Sequence, residues 1–339
     1  MARERIPTLD GWRGIAILLV LVDHLQCGLY GHYLSTSSQT GAHGVTIFFV
    51  LSGFLITSKL IERESNLKAF YLRRFFRLMP AAWAYLAFLS VLHFGAKWHV
   101  ISCGSLVACV LFFRNFTSQP DFTLHYWSLS LEEQFYLLWP CVLLLAGARR
   151  CRWLALLGAV ACASYRWFNW DFYNRMILDY RSQVRADALL IGCVLALFLK
   201  EDSFRVQAKR WSRITWAPAL AVLIFCMANF PWLPPLSECI AIAILICATS
   251  LNSTNPLARP FSFASLAWLG TVSYSAYIWQ QFFIGGTWPS GAYLLLAGCF
   301  FPICVLLSYY CVERPCVRFA HRITSQRRVD SPTHAAIYG

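Results

Sequence analysis

The sequence predicts an all-α, polytopic membrane helix bundle of about ten transmembrane helices plus one short re-entrant or half-inserted helix, with both termini cytoplasmic. Three observations carry this. The chain is 58% hydrophobic and only 13% charged, with a mean hydropathy of +0.53, whereas soluble domains carry about a quarter charged residues. Apolar segments recur near residues 12–31, 43–61, 78–95, 101–113, 133–147, 152–168, 185–199, 214–230, 236–251, 264–283 and 292–312. Basic residues cluster in particular loops, as insertion topology demands.

Each element follows from its flanks. The first segment comes after a charged start but holds Asp23 and His24 and leads to no small-residue cleavage site. It therefore reads as a retained helix rather than a signal peptide. Arg3 and Arg5 place the N-terminus inside, and Lys59, Arg63, Lys68, Arg73, Arg74 and Arg77 do the same for the loop after the second segment. If all the segments spanned, Arg149, Arg150 and Arg152 would face outward, as would Lys200, Arg205, Lys209, Arg210 and Arg213. Segment 101–113 is shorter than the ~20 residues a span needs. Reading it as half-inserted restores the charge pattern, places loops 117–132 and 169–184 outside, and brings Arg314, Arg318, Arg322, Arg327 and Arg328 inside. An integral membrane domain then covers 1–322, and 323–339 forms a polar, disordered cytoplasmic tail.

Composition also excludes classes. The net charge of +13 is distributed by topology, which argues against a nucleic-acid partner. Most of the fourteen cysteines sit singly in apolar runs, with no CxxC pair and no histidine cluster beside them. They read as small buried hydrophobes, with no metal site. The two halves show no matching Gly/Pro-broken segments, which weakens a transporter built on inverted repeats.

The polar residues inside apolar runs are the chemical candidates. Arg13 and His24 are eleven residues apart, about 1100° of helical rotation, so they share a face with His24 about 16 Å deeper. Such groups persist in hydrocarbon where a cavity or chemistry needs them, or as glue between helices. Asp10, three residues before Arg13, is placed to fix that arginine's rotamer. Arg73, Arg74 and Arg77 project to one helical side, as a cradle for a phosphorylated cofactor or as a topological anchor. Ser52-Gly53 makes a notch for a thin ligand or a packed helix. In His125-Tyr-Trp127-Ser128-Leu-Ser-Leu-Glu132-Glu133, the two carboxylates cap the start of the fifth segment, or one of them orients His24 or binds a hydroxyl-rich acceptor. Arg185 and Asp187 add polar groups on the same side of the membrane.

In order, these motifs resemble the membrane-bound acyltransferase-3 family over nearly the whole chain. Leu9-Asp10-Gly-Trp-Arg13-Gly with His24 resembles its first-helix pair, and Phe48-Phe-Val-Leu-Ser52-Gly53 its second helix. Arg74-Phe-Phe-Arg77 resembles its paired arginines, and Trp127-Ser-Leu-Ser-Leu-Glu132-Glu133 its acidic helix. Val184-Arg185-Ala-Asp187, Val272-Ser273-Tyr274-Ser-Ala-Tyr277 and Glu313-Arg-Pro315 resemble its later signatures.

The resemblance implies an acyl group, acetyl by first expectation, moving from cytoplasmic acyl-CoA to a hydroxyl. The acceptor would be a carbohydrate, exopolysaccharide, lipid-linked glycan or secondary metabolite, and the setting a bacterial cytoplasmic (inner) membrane. Candidate roles are then catalytic for His24, Arg13, Asp10 and Glu132, and donor-binding for Arg73, Arg74, Arg77, Ser52 and Gly53. Trp127, Ser128, Glu133, Arg185, Asp187 and Tyr277 are candidates for the acceptor. Acyl-CoA is the co-substrate, with no metal; membrane lipid and a glycan are the partners.

Family members often carry histidine after the tryptophan of the tenth segment, where Trp279 is followed here by Gln280. The general base is therefore placed at His24, a neutral imidazole with a reference pKa of about 6.5. Direct transfer without a Ser or Cys acyl-enzyme is expected. The family's frequent fused extracytoplasmic domain is not seen, which reads as a stand-alone core. Two other classes remain open: a transporter or flippase for a lipid-linked substrate, and a sensor whose basic face binds anionic lipid.

Cysteine-accessibility labelling checks the topology. Residues 59–72 and 201–212 should react from the cytoplasmic side and 170–182 from outside; outward labelling of 201–212 overturns the ten-span map.

Overall fold

A computed structural model describes residues 6–30, 40–62, 67–117, 120–169, 181–228, 235–252, 254–285, 288 and 290–329. Most of these residues are helical and none is in a strand. In chain order the helices are α1 (Pro7–Tyr30), α2 (Thr40–Glu62), α3 (Leu67–Ser90), α4 (Cys103–Val110), α5 (Tyr126–Phe168), α6 (Ser182–Leu199), α7 (Asp202–Met227) and α8 (Pro235–Leu251). A single turn, α9 (Ala258–Phe261), leads into α10 (Ala264–Phe283). The last run comprises α11 (Ser290–Leu295), α12 (Phe301–Leu307) and α13 (Arg314–Val329), joined through π turns at Leu296–Phe300 and Ser308–Glu313.

Among the described residues five stretches are long and apolar enough to cross a bilayer: Thr40–Glu62, Leu67–Gly95, Tyr126–Phe168, Ser182–Leu199 and Ala292–Thr324. Helix α5 breaks at Gly147, where φ is 74° and ψ 158°, a conformation that favours glycine. The break separates the two apolar segments read from the sequence at 133–147 and 152–168. Leu145 is 87% exposed, with Leu137, Leu138, Leu144 and Leu157 each near two-thirds. An apolar surface of this kind belongs against lipid tails. Segment 101–113 forms only the eight residues of α4, about 12 Å of helix and too short to cross. Its start is capped by Ser102, whose Oγ accepts from the Ser105 N–H at 3.0 Å.

Lipid tails are as apolar as leucine, so helices hold together through close backbone contact and polar pairs. A Cβ on Gly270 would lie 1.8 Å from the Asp10 carbonyl oxygen, and one on Gly14 would lie 2.3 Å from that of Leu266. At the other end a Cβ on Gly285 would meet the His24 ring. Helices α1 and α10 therefore run parallel in direct backbone contact. Trp12 anchors the pair, donating to Thr249 at 2.9 Å and stacking on Phe261 at 4.2 Å. The seam between α2 and α6 is built likewise, Gly53 lying on Leu189 and Gly192 on Val50.

Buried ionic groups complete the frame. Arg114 is fully buried and donates to Thr123, Asp121 and the Thr117 carbonyl, tying down the chain that precedes α5. Arg166 donates to Asp187 at 2.7 Å between α5 and α6, and His43 Nδ1 lies 2.9 Å from Glu238 between α2 and α8.

Several sequence expectations change. Glu132 and Glu133 do not cap a helix, because the turn closed by the Tyr126 N–H on the Thr123 carbonyl starts α5 earlier and carries both carboxylates inside it. The tail boundary at 322 falls inside α13, which continues to Val329; 330–339 lie outside the described residues. The described cysteines are free thiols, but Cys103, Cys141, Cys299 and Cys311 are exposed rather than buried. Arg3, Arg5, Arg63 and loop 170–180 lie outside the described residues, and so do the side chains of Arg327 and Arg328.

Gly270→Val should abolish folded protein, since its branched side chain must displace the α1 backbone, beyond the ~1–3 kcal/mol of ordinary overpacking. Gly298→Ala, with nothing within 4 Å, should be tolerated. Folded yield and melting temperature in detergent check both.

Candidate active site

Helices α1, α2, α3, α5 and α10 line an open pocket whose void, counted together with the solvent at its mouth, is about 600 Å³. Its walls carry three guanidinium groups, Arg13, Arg74 and Arg77, against one carboxyl group, Glu132. Ser52, Ser128, Ser273, Tyr274 and Tyr277 supply hydroxyls, and Val45, Phe48, Phe49, Leu78 and Leu129 supply apolar surface. A pocket of arginine forks with hydroxyls and a greasy wall suits a ligand with phosphate groups and an apolar arm.

Each charged wall is held in place. Asp10, buried behind the cavity, accepts from Arg13 Nη1 at 3.2 Å. The Arg74 guanidinium lies 3.6 Å from the centroid of the Tyr136 ring, a cation–π contact that fixes its plane. Ser52 Oγ donates to Glu132 Oε1 at 2.7 Å, across α2 and α5. The Tyr274 hydroxyl donates to the Leu78 carbonyl at 2.7 Å and pins α10 to α3 beside Arg77.

Beyond the arginines the polar path continues along α10. The Ser128 and Tyr277 hydroxyls lie 2.6 Å apart, and each is 3.1 Å from the His125 carbonyl oxygen. One proton bridges the pair and the other goes to the carbonyl. His24 sits further along α1, half-buried, with Nδ1 2.9 Å from the Val20 carbonyl. A carbonyl only accepts, so Nδ1 carries a proton, and it is Nε2 that holds the lone pair whenever the ring is neutral.

The structure thus brings Arg13, Ser52, Arg74, Arg77, Ser128, Glu132 and Tyr277 to one cavity, with Asp10 as their support. The other candidates are placed elsewhere. Arg73 donates to Thr324 of α13 at 3.3 Å. Gly53 packs on Leu189, which makes its notch a helix seam rather than a ligand cradle. Asp187 is 1% exposed and committed to Arg166 and the Ala188 N–H. Trp127 is buried edge-on against Phe49 at 5.8 Å. Glu133 and Arg185 are half-buried and outside the cavity walls.

Sequence reasoning assigned no role to His125, which is 4% exposed and has neither ring nitrogen hydrogen-bonded. Its position two residues before Trp127 was the available signal. Gln280 is likewise fully buried with both amide atoms unpaired. An unpaired buried donor costs about 1–3 kcal/mol, so polar atoms left open here need an explanation beyond packing.

Residues 6–313 match the acyltransferase domain of the acyltransferase-3 family. The peptidoglycan O-acetyltransferase OatA of Listeria monocytogenes is 29% identical over 329 residues, covering 85% of this chain and 51% of the relative. YrhL of Bacillus subtilis, a candidate peptidoglycan O-acetyltransferase, is 29% identical over 313 residues, 81% of this chain and 48% of its own. A candidate O-acetyltransferase of Staphylococcus aureus is 28% identical over 312 residues, 81% and 50% respectively. This chain spans about half the length of these relatives. No solved structure matches it significantly.

Arg74→Ala or Arg77→Ala should weaken coenzyme A binding by about 1.5–3 kcal/mol, roughly ten- to a hundredfold, with little change in melting temperature. Calorimetric titration with CoA measures it; unchanged affinity in both variants returns the arginines to a topological role.

Proposed function

The chain belongs to the acyltransferase-3 family, and from that premise we propose that it is a membrane O-acyltransferase. It moves an acetyl group from acetyl-CoA to a hydroxyl of a cell-surface carbohydrate. The observation that carries this reading is the cavity walled by Arg13, Arg74 and Arg77 at one end of the helix that carries His24.

Arg74 and Arg77 hold the CoA phosphates at the cytoplasmic mouth, with Arg13 in the same pocket wall. The eleven residues from Arg13 to His24 climb about 16 Å, a span suited to the extended pantetheine arm. The thioester then stands near His24, past the apolar wall and the Ser128–Tyr277 pair. His24 Nε2, basic because Nδ1 is committed to the Val20 carbonyl, removes the acceptor's hydroxyl proton. The freed oxygen attacks the thioester carbon directly. Glu132, held by Ser52, balances charge among the arginines.

The relatives' names support a glycan acceptor, and peptidoglycan is the first to test. Charge in the loops supports a donor mouth on the inside and the outer ends of α1 and α10 at the far face, where the acceptor would enter. Ten spans and cytoplasmic termini belong to the same reading.

Purified protein supplied with labelled acetyl-CoA and muropeptide fragments should release CoA and label the carbohydrate. His24→Ala should keep its expression and CoA affinity while transfer falls at least ~100-fold, within the 10²–10⁴ of positioned base catalysis. His24→Gln cannot take a proton at neutral pH and should be nearly as inactive. An active, well-expressed His24→Gln rules this base out, and label that never leaves acetyl-CoA with any hydroxyl acceptor rules out the reaction.

A further inference from the structure

His125 lies between the arginine cavity and His24. Its carbonyl lies 3.1 Å from each of the Ser128 and Tyr277 hydroxyls, which both line the cavity, and accepts from one of them. Tyr277 and the Ile278 backbone of α10 flank His125, while Gly285, just past the end of α10, lies against His24. The two imidazoles therefore border one stretch of α10 from its two ends.

The His125 ring is held without using its nitrogens. Tyr85, Tyr126 and Tyr277 surround it edge-on at 5.5, 4.9 and 5.6 Å. The Ile278 backbone lies close to the ring, but neither ring nitrogen makes a hydrogen bond among the described residues. Orientation set by packing, with a donor left open in a buried place, is the arrangement of a group that waits for an acceptor. Neutral imidazole serves as an electrophile toward a carbonyl, since it polarises the oxygen without surrendering its proton.

We propose that His125 donates a ring N–H to the thioester carbonyl oxygen of the bound donor and holds the oxyanion formed on it. The assignment rests on the acyl-transfer reading above. As the acceptor oxygen bonds to the thioester carbon, its proton passes to His24 Nε2. The carbonyl electron pair moves onto the oxygen facing His125. Collapse restores the C=O bond and breaks the C–S bond. The thiolate leaves with the proton from His24, so CoA departs as the free thiol and both rings return to their starting state. The two histidines have opposite requirements: His24 must take a proton, whereas His125 needs only an N–H.

The test uses the full chain in detergent with acetyl-CoA labelled at the carbonyl carbon, and reads the infrared C=O stretch of the bound thioester. The stretch should fall below that of free acetyl-CoA in the wild-type protein and in His24→Ala. In His125→Phe, which keeps an aromatic ring but has no N–H, it should return to the free position with CoA affinity changed less than about twofold. His125→Gln should keep the lowered stretch. Transfer to muropeptide should fall about 10²–10³-fold in His125→Phe, the cost of one oxyanion donor, and His125→Gln should recover at least tenfold of that loss. If His125→Phe folds poorly by its melting curve, the wild-type and His125→Gln bands decide, and both must be lowered. An unshifted wild-type band, a shift that survives His125→Phe, or a His125→Gln as inactive as His24→Gln overturns the assignment. Failure of wild-type protein to bind acetyl-CoA at all instead removes the acyl-transfer reading, and this assignment with it.

Discussion

Everything at the candidate site depends on how closely α1 lies against α10. The Gly14 and Gly270 contacts bring the two backbones together with no side chain between them. That contact fixes the axial register of both helices, and register decides which residues meet. Arg13 falls beside the Ser273–Tyr277 stretch, and His24 falls beside Gln281 and Gly285. Trp12 adds a third point of attachment through Thr249 and Phe261, and stops α1 from sliding. A shift by one residue would turn Arg13 and His24 by about 100° away from the path they share.

The rest of the cavity is assembled against that fixed pair by hydrogen bonds that cross helices. Tyr274 to Leu78 brings α3, Ser52 to Glu132 joins α2 to α5, and Ser128 to Tyr277 joins α5 to α10. Each such bond is worth only about 1–2 kcal/mol or less in a bilayer. Their importance is positional, because each one aims a neighbouring charged group rather than merely fastening two helices.

The sequence made the class of fold legible, because hydropathy and loop charge are summed over many residues. It also made Arg13, Arg74 and Arg77 legible as charged groups set in apolar helices, and Glu132 through its motif, but these residues lie on three helices and only the fold brings them to one cavity. Pairing was not legible. Asp187 looks available until Arg166, 21 residues away, is seen to hold it, and Arg73 until Thr324, 251 positions distant, accepts its bond. Gly53 reads equally as a notch for ligand or for helix, and only Leu189 across the seam decides. His125 escaped notice for a different reason. It precedes the first turn of α5, where neither periodicity nor charge marks a residue, and its distinction is a lack of partners that only three dimensions reveal.

The Arg166–Asp187 pair has a consequence for how the chain enters the membrane. Arg166 stands in the last turn of α5 and Asp187 in the second turn of α6, so an unpaired charge there costs less than the about 2.5–3.5 kcal/mol of a helix centre, and each is relieved by the other. The second half of α5 and the whole of α6 thus gain by partitioning as one hairpin. Because α6 in turn receives α2 along the Gly53–Gly192 seam, that hairpin is also the surface on which an earlier helix must dock. This buried charge pair therefore favours an order of biogenesis in which the helices on either side of it leave the insertion machinery together.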